Sequence, residues 1–463
     1  MEDFDDQEVE ELLTKFKNMI SSGESNFFDS DEMELIIDEL MRNFDFNNGS
    51  KAIDYAISLY PSDSFFRILK VKKLILELKL DAAEEELNEI EETFPPTPEF
   101  YLEKVLLSRM TGEENNAFSL LQKALKLDNE DPEVHFLLAY EYLKKRNIAE
   151  AVNHASFALD VDETFDEQLF TYSYLFEENK QYEDAILLFN ALTERFPLLK
   201  GTWFGLGLAH SWLSEYDNAI QSYELVLSLD ETTATAHFNI ANSYYELKDY
   251  DKALSHYQQA FEIDDQDYNS LTSIGDCYSM TDNLQEALDY YHKALSINPN
   301  HPEAIMGIVS ILKQTDRIDE AMVFIEKAFA LSPQSFELLF SIIEYYKDEE
   351  QTEKLIKLFN ITLEQVENKA DFFKYFTVYC CQNELYNFGI DILTAHLHDE
   401  IADDMIPYYL AALYYLSGNI PNGNEYLKNA LLLNYDEYIT FLAIDSVLQS
   451  FSEIKELIDL YKP

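Results

Sequence analysis

Small apolar side chains recur along this chain with a period of 34 residues. They stand at Gly49, Ala83, Ala117, Ala151, Ala185, Ala219, Ala253, Ala287, Ala321, Gly389 and Gly423. Leu355 is the one larger residue in this phase. Two helices approach closely where the side chain between them is nearly absent, so the period predicts one helix crossing built repeatedly.

Each interval of 34 residues predicts two helices of about 12 to 14 residues joined by a short turn. Twelve such units fill residues 30–437. Five prolines share the thirty-second place of a unit and mark the end of its second helix: Pro61, Pro95, Pro197, Pro299 and Pro333. Pro132 opens a unit instead, behind Asp131 as a candidate N-cap. The pattern therefore predicts an all-α fold, an α-solenoid of stacked helix–turn–helix units.

The two ends of the chain lie outside the period. Residues 1–29 form an acidic segment with one helical pattern over residues 6–20, whose apolar face is suited to cap the first unit. Residues 438–463 predict C-terminal capping helices, the first over residues 438–449, because a solenoid must cover its last apolar face.

The charge balance narrows the class of partner. With 88 acidic and 33 basic residues the chain carries a formal net charge of -55. Such a field repels phosphate backbones and anionic lipid surfaces, which disfavours nucleic acid and membranes. Apolar or basic proteins and peptides remain as partners. The other explanation is that the acidity keeps a long solenoid in solution and apart from its copies.

The cysteines and the N-terminus bear on the compartment. Cys277, Cys380 and Cys381 are too few for a disulfide framework, and adjacent cysteines are poorly placed to pair. The first residues are acidic, unlike a secretory signal, and no apolar run reaches the length of a membrane span. We therefore expect a cytoplasmic protein.

The sixth to eighth units carry a recognisable signature. Trp203-x-x-Leu206-Gly207 is followed by Ala219, Tyr223 and Val226, and the eighth unit repeats most of the pattern. This resembles the tetratricopeptide repeat, strongly over residues 132–335, well but with more departures over residues 30–131, and weakly over residues 336–437. The resemblance implies a right-handed superhelix whose first helices line a concave groove for a peptide or protein segment.

The groove positions that this resemblance implies are rich in aromatic and amide side chains. Four phenylalanines share the fifth place of successive units, and the resulting candidate partner-binding residues are Phe136, Tyr140, Phe170, Tyr174, Phe204, Trp212, Phe238, Asn239, Asn242, Tyr245 and Asp276. The rings would supply apolar burial and the amides would hold a partner's backbone. The alternative is that the four phenylalanines pack between adjacent first helices and contact no ligand.

The sequence gives little support for a carboxylate clamp, a nucleotide site or a metal site. The family's clamp for a terminal carboxylate needs basic residues that these groove positions lack. Gly201, Gly205 and Gly207 fall inside a helix and not in a phosphate loop. Two histidines at His396-x-His398 point to different faces of a helix. We therefore expect no catalytic residues, no metal and no cofactor.

These observations predict a non-enzymatic protein–protein interaction scaffold that binds a peptide or protein segment in its groove. The alternative is a self-associating structural scaffold, a homo-oligomer formed through the C-terminal repeats. Dense aromatics suggest that alternative: Tyr408, Tyr409, Tyr414 and Tyr415.

Overall fold

In the computed structural model of this chain, the described residues are 6–22, 26–43, 45–112, 116–346, 352–397 and 405–462. They contain 27 α-helices, three short 3-10 helices and no β-strand, so this part of the chain is an all-α solenoid. The chain divides into two compact units, Met1–Leu247 and Lys248–Pro463.

The N-terminal unit consists of an initial helix followed by pairs of helices. Its helices are α1 (Asp6–Ser22), α2 (Ser30–Arg42), α3 (Phe46–Leu59), α4 (Ser64–Leu76), α5 (Leu80–Thr93), α6 (Pro98–Met110), α7 (Ala117–Leu127), α8 (Pro132–Lys144), α9 (Ile148–Val161), α10 (Phe170–Asn179), α11 (Tyr182–Arg195), α12 (Lys200–Trp212), α13 (Tyr216–Leu229) and α14 (Ala234–Glu246). A 3-10 helix, Glu163–Gln168, precedes α10.

The C-terminal unit continues the same pairing. Its helices are α15 (Tyr250–Ile263), α16 (Tyr268–Met280), α17 (Leu284–Ile297), α18 (Pro302–Gln314), α19 (Ile318–Leu331), α20 (Phe336–Tyr346), α21 (Thr352–Gln365), α22 (Lys369–Gln382), α23 (Tyr386–Ala395), α24 (Ile406–Leu416), α25 (Ile420–Leu433), α26 (Tyr438–Leu442) and α27 (Ser452–Leu460). Among the described residues, no helix has the length and apolar character that crossing a membrane requires.

Local sequence sets where the first helices begin. Asp131 caps α8 as predicted, because its carboxylate accepts the backbone N–H groups of Glu133 and Val134, with Pro132 in the first helical position. Leu199 precedes α12 without a side-chain cap. The carboxylate of Asp166, in the 3-10 helix, instead accepts the N–H groups of Gly201 and Thr202.

The periodic small residues lie where second helices are packed most tightly. Ala185, Ala219 and Ala253 are completely buried in α11, α13 and α15. The first helices have matching gaps: a Cβ on Gly207 would come within 2.5 Å of the Tyr223 ring, where no real side chain fits. The repeated close crossing predicted from the sequence is therefore present in the structure.

Ten of the described turns inside helix pairs use the left-handed backbone region at positions that follow the same 34-residue period. Positive φ angles occur at Leu78, Gly112, Arg146, Lys180, Ser214, Lys248, Asp282, Asp316, Glu384 and Gly418. Two of these ten positions carry glycine, the residue that adopts this conformation without steric cost. The other eight turns are strained, and the amino-acid sequence did not reveal this feature because no single residue type marks it.

We expect Leu78→Gly to raise the free energy of unfolding of the N-terminal unit by about 1 kcal/mol, since a left-handed non-glycine residue is strained. Leu78 has φ 59° and an exposed side chain, so the change removes little packing. Chemical denaturation followed by circular dichroism measures the effect. Leu76→Gly is the matched control, an exposed leucine at the last position of α4, and is expected to lose up to about 1 kcal/mol. Equal losses of stability in Leu78→Gly and Leu76→Gly would show that the backbone at Leu78 is not strained.

The chain ends pack against their neighbouring helices. Phe16 of α1 is fully buried and its ring lies 5.9 Å from that of Phe28. At the other end, the helix expected over residues 438–449 is interrupted: α26 stops at Leu442, and a 3-10 helix, Ser446–Ser450, follows. Asp445 causes this break, because its carboxylate accepts the N–H of Val447 and begins a new turn.

Candidate functional site

Three successive first helices, α10, α12 and α14, line a cleft of about 470 Å³, which we call the aromatic cleft. Its lining residues are Phe170, Ser173, Tyr174, Glu177, Leu208, Ser211, Trp212, Tyr216, Asn239, Asn242, Ser243 and Glu246. Most stand three or four residues apart on their helix, which places them on one face. Five of the predicted groove residues thus meet in one place.

The aromatic rings of this cleft are unusually accessible. Phe170 is 65% exposed and Tyr174 is 67% exposed, whereas Trp212 is half-buried with its ring 5.5 Å from that of Tyr182. Large apolar side chains with most of their surface in water are uncommon when clustered, and such clusters mark binding surfaces. Apolar surface in this cleft therefore remains exposed to solvent in the folded chain.

An irregular repeat start explains the exposure of Phe170. The fifth 34-residue interval begins at Asp166, but α10 begins four residues later, at Phe170, because the 3-10 helix occupies the first turn. Phe170 consequently stands at the tip of a helix. Asp166 holds this arrangement through its bonds to the start of α12, at 2.8 Å to the N–H of Gly201 and 3.2 Å to that of Thr202. Burial raises the pKa of Asp166, and those two backbone donors oppose the rise.

The polar groups of the cleft are partly engaged within their own helices. Asn239 donates a side-chain N–H to the carbonyl of Thr235 at 2.9 Å, and Ser243 donates its hydroxyl to the carbonyl of Asn239 at 2.9 Å. Ser173 is different: it is 3% exposed, and its Oγ has no hydrogen-bond partner within the described parts of the chain. Buried hydroxyls are normally paired, so this group is a candidate for an external partner.

A second cleft, of about 320 Å³, lies on the other side of Phe170 and Ser173, which line both. We call it the adjacent cleft. Phe204 and Gly205 contribute to it, and so does Thr233, whose buried Oγ1 is also unpaired within the described residues. The half-buried Phe204 ring packs at 5.5 Å from the Tyr223 ring, so Phe204 serves both core and surface.

Phe136 belongs to the core and not to the cleft. It is 4% exposed, and its ring lies 5.0 Å from that of Phe165 and 4.6 Å from that of Tyr172. Tyr172 also donates its hydroxyl to the Phe136 carbonyl at 2.8 Å. At this position the structure agrees with the alternative stated from the sequence, that the phenylalanine packs between adjacent first helices.

The remaining predicted residues lie outside the aromatic cleft. Tyr140 is half-buried on α8, with the Arg109 guanidinium 4.9 Å from its ring centre. Phe238 and Tyr245 are half-buried on α14. Asp276 belongs to the C-terminal unit, where it accepts the Tyr291 hydroxyl at 2.7 Å and its pKa is raised by burial. A contact between these residues and a partner stays a prediction.

Models of a known protein family match part of this chain. Tetratricopeptide repeat models match residues 201–266, 232–300 and 280–340. Residues 201–340 of this chain are therefore tetratricopeptide repeats (TPR). Its TPR units support a general role as a protein–protein interaction scaffold, because proteins of this family bind peptides or other proteins.

Individual similarities to this TPR chain are distant. The crystal structure of MamA shares 20% sequence identity over 42% of this chain and 92% of that one, with a TM-score of 0.27. YrrB, described as a TPR protein with an unusual peptide-binding site, shares 20% identity over 40% of this chain and 96% of that one, with a TM-score of 0.31. No curated protein matches the sequence.

Sequence reasoning missed several residues of this TPR cleft, above all Ser173, Glu177 and Glu246. A signal was present, because each stands three or four residues from a predicted position on the same helix face, such as Tyr174 or Asn242. The fixed groove places of the repeat do not include these neighbouring positions.

The tyrosines that suggested self-association of the TPR array are largely core residues. Tyr408, Tyr409 and Tyr415 are buried, and Tyr408 donates its hydroxyl to the Asn434 carbonyl at 2.8 Å. Tyr414 is half-buried and stacks on Tyr426 at 5.4 Å. They therefore offer little surface to a second copy.

Candidate metal and thiol groups of the TPR chain are likewise engaged or buried. His396 meets the Asn360 side-chain oxygen at 3.1 Å, and His398 lies outside the described residues. Within the described ranges, no cluster of three metal-ligating side chains occurs. All three cysteines are buried, and burial raises the pKa of the Cys277 thiol to about 12.

One buried carboxyl of the TPR core makes stability depend on pH. Glu103 of α6 is 8% exposed, and its Oε2 has no hydrogen-bond partner in the described residues. Burial raises the pKa of Glu103 from 4.5 to about 7; Lys72 opposes this rise and Glu133 adds to it. The folded state therefore favours the protonated carboxyl, which stabilises it fully below pH 4.5 and no longer once the pH has risen through about 7.

We expect the free energy of unfolding to fall by up to about 3 kcal/mol between pH 5 and pH 8 because of Glu103. Glu103→Gln should remove this part of the pH dependence and exceed the wild type in stability at pH 8. Urea unfolding at several pH values measures it, with exposed Glu99→Gln as the control. A wild-type profile retained by Glu103→Gln would show that the carboxyl does not titrate in this range.

Proposed function

We propose that this chain is a non-enzymatic TPR scaffold and that a peptide or protein segment, apolar or basic in character, binds in the aromatic cleft. The partner lies across α10, α12 and α14. It covers Phe170, Tyr174 and Trp212, and its backbone meets the amides of Asn239 and Asn242.

The observation that carries this proposal is the pair of exposed rings, Phe170 and Tyr174, in one cleft. Burying a large apolar side chain contributes about 1.5–3 kcal/mol. Two such rings, with the half-buried Trp212 beside them, supply enough area for the aromatic centre of a small interface. The lining residues of the aromatic cleft stand on helices of the folded chain, so binding requires little ordering of the scaffold.

Selection from a random 12-residue peptide library displayed on phage tests the proposal. The full chain is the bait, and synthetic versions of the enriched peptides are titrated against it. Tyr174→Ala with Trp212→Ala should weaken their binding at least about tenfold, because aromatic side chains at the centre of an interface carry most of the affinity.

The matched control is Leu187→Ala, an exposed apolar side chain on the second helix α11. It should bind every enriched peptide as the wild type does. Circular dichroism verifies that both variants keep their helices. Peptides that bind the cleft variant as tightly as the wild type would place the binding site elsewhere and overturn the proposal.

A further inference from the structure

The aromatic cleft differs in charge from four other clefts in the described part of the chain. Its lining includes the carboxylates of Glu177 and Glu246, and no lysine, arginine or histidine. Four other clefts in the described part of the chain each include at least one lysine. The adjacent cleft, for example, contains Lys200, whose ammonium lies 3.0 Å from the Asp230 carboxylate. The aromatic cleft therefore has negative charge without an internal counterion among its lining residues.

The rings of this cleft also lack cations of their own. Elsewhere in the chain lysines lie over aromatic faces: Lys145 is 3.0 Å from the centre of the Phe118 ring, and Lys293 is 4.1 Å from that of Tyr290. Within the described residues, no lysine or arginine covers Phe170, Tyr174 or Trp212. Aromatic faces attract cations, and tryptophan does so most strongly.

The unpaired hydroxyl of Ser173 is an independent sign of a missing polar partner. It is buried between the two clefts and faces no acceptor or donor within the described chain. A guanidinium carries five N–H donors in a plane, so it can stack on a ring while donating to a carboxylate and to a hydroxyl oxygen.

We propose that the aromatic cleft binds a basic side chain of the partner, an arginine above all, held by Phe170, Tyr174 and Trp212 and neutralised by Glu177 and Glu246. This inference rests on the proposed function, since it names the chemistry of the partner at the same site. It also decides between the apolar and the basic partner that the net charge alone left open.

Matched synthetic peptides test the basic side chain. Each peptide enriched on the wild-type chain is made with its arginine and with citrulline, which has the same shape without the charge. Trp203→Phe leaves Trp212 as the single tryptophan, so its fluorescence reports binding in the cleft. The citrulline peptide should bind about tenfold more weakly, and the difference should shrink in high salt.

Carboxylate variants locate the charge. Glu177→Gln with Glu246→Gln should bind arginine and citrulline peptides about equally. Glu194→Gln with Glu224→Gln, two exposed carboxylates on the second helices α11 and α13, carries the same change in net charge and should keep the tenfold preference.

The outcomes separate the two proposals. Enriched peptides that lose affinity with Tyr174→Ala but lack a basic residue, or tolerate citrulline, would overturn the basic side chain and leave the peptide-binding function standing. Enriched peptides that ignore Tyr174→Ala would overturn both. A preference for arginine that survives in the Glu177→Gln, Glu246→Gln variant would overturn the assignment of the carboxylates, and so would a loss of that preference in the control variant.

Discussion

Phe136→Ala is expected to lower the free energy of unfolding of the N-terminal unit by about 3–5 kcal/mol, the range for a large aromatic side chain removed from a core. The ring is buried between Phe165 and Tyr172, and its removal leaves a cavity that the surrounding helices cannot fill. Urea denaturation followed by circular dichroism measures the change.

Phe170→Ala is the matched control for this substitution, because Phe170 occupies the same place in the next repeat. With 65% of its side chain exposed, it should cost less than about 1 kcal/mol in stability. Its effect should appear instead in peptide binding. Similar losses of stability for Phe136→Ala and Phe170→Ala would show that Phe170 is also a core residue, contrary to the cleft described above.

Arg109→Leu is expected to destabilise the same unit by about 3–5 kcal/mol, the cost of leaving a buried charge without its partner. The Arg109 guanidinium lies 3.1 Å from the carboxylate of Glu141, which is almost fully buried on α8. Lys144 is 4.0 Å from the same oxygen and cannot replace a direct hydrogen bond. Thermal and urea unfolding both report the loss.

The double variant Arg109→Leu with Glu141→Met separates the ion pair from simple packing. Removing both charges leaves no buried group unpaired, so most of the lost stability should return. The exposed pair of Arg317, which precedes α19, and Glu320 in its first turn serves as a control, since breaking it with Arg317→Leu should leave stability nearly unchanged. A double variant as unstable as Arg109→Leu alone would mean that the charge of Glu141 is not the cause.

The repetitive part of the fold follows from the amino-acid sequence because it depends on side-chain size at a fixed period. Ala185, Ala219 and Ala253 were predicted at close helix crossings, and all three are completely buried in second helices. Helix starts were equally predictable where a cap or a proline marks them, as at Asp131 and Pro132. These features depend on residues within one repeat, so they can be predicted without the structure of the neighbouring repeats.

The candidate site was only partly predictable, because exposure at one repeat place depends on the neighbouring backbone. Phe136 lies inside α8 and is buried, whereas Phe170 begins α10 after a 3-10 turn and is exposed. No residue type at the fifth place distinguishes the two. The turn itself follows from Asp166, which bonds to the next repeat 35 residues away, a contact that the local pattern does not contain.

Site-specific photocrosslinking shows where on the chain a partner segment binds. p-Benzoylphenylalanine is placed at position 174 on α10 or at position 187 on α11, both exposed, and each chain is irradiated with a peptide selected from the display library. Binding in the aromatic cleft should give a covalent adduct from position 174 and none from position 187. An adduct from position 187 alone would contradict it.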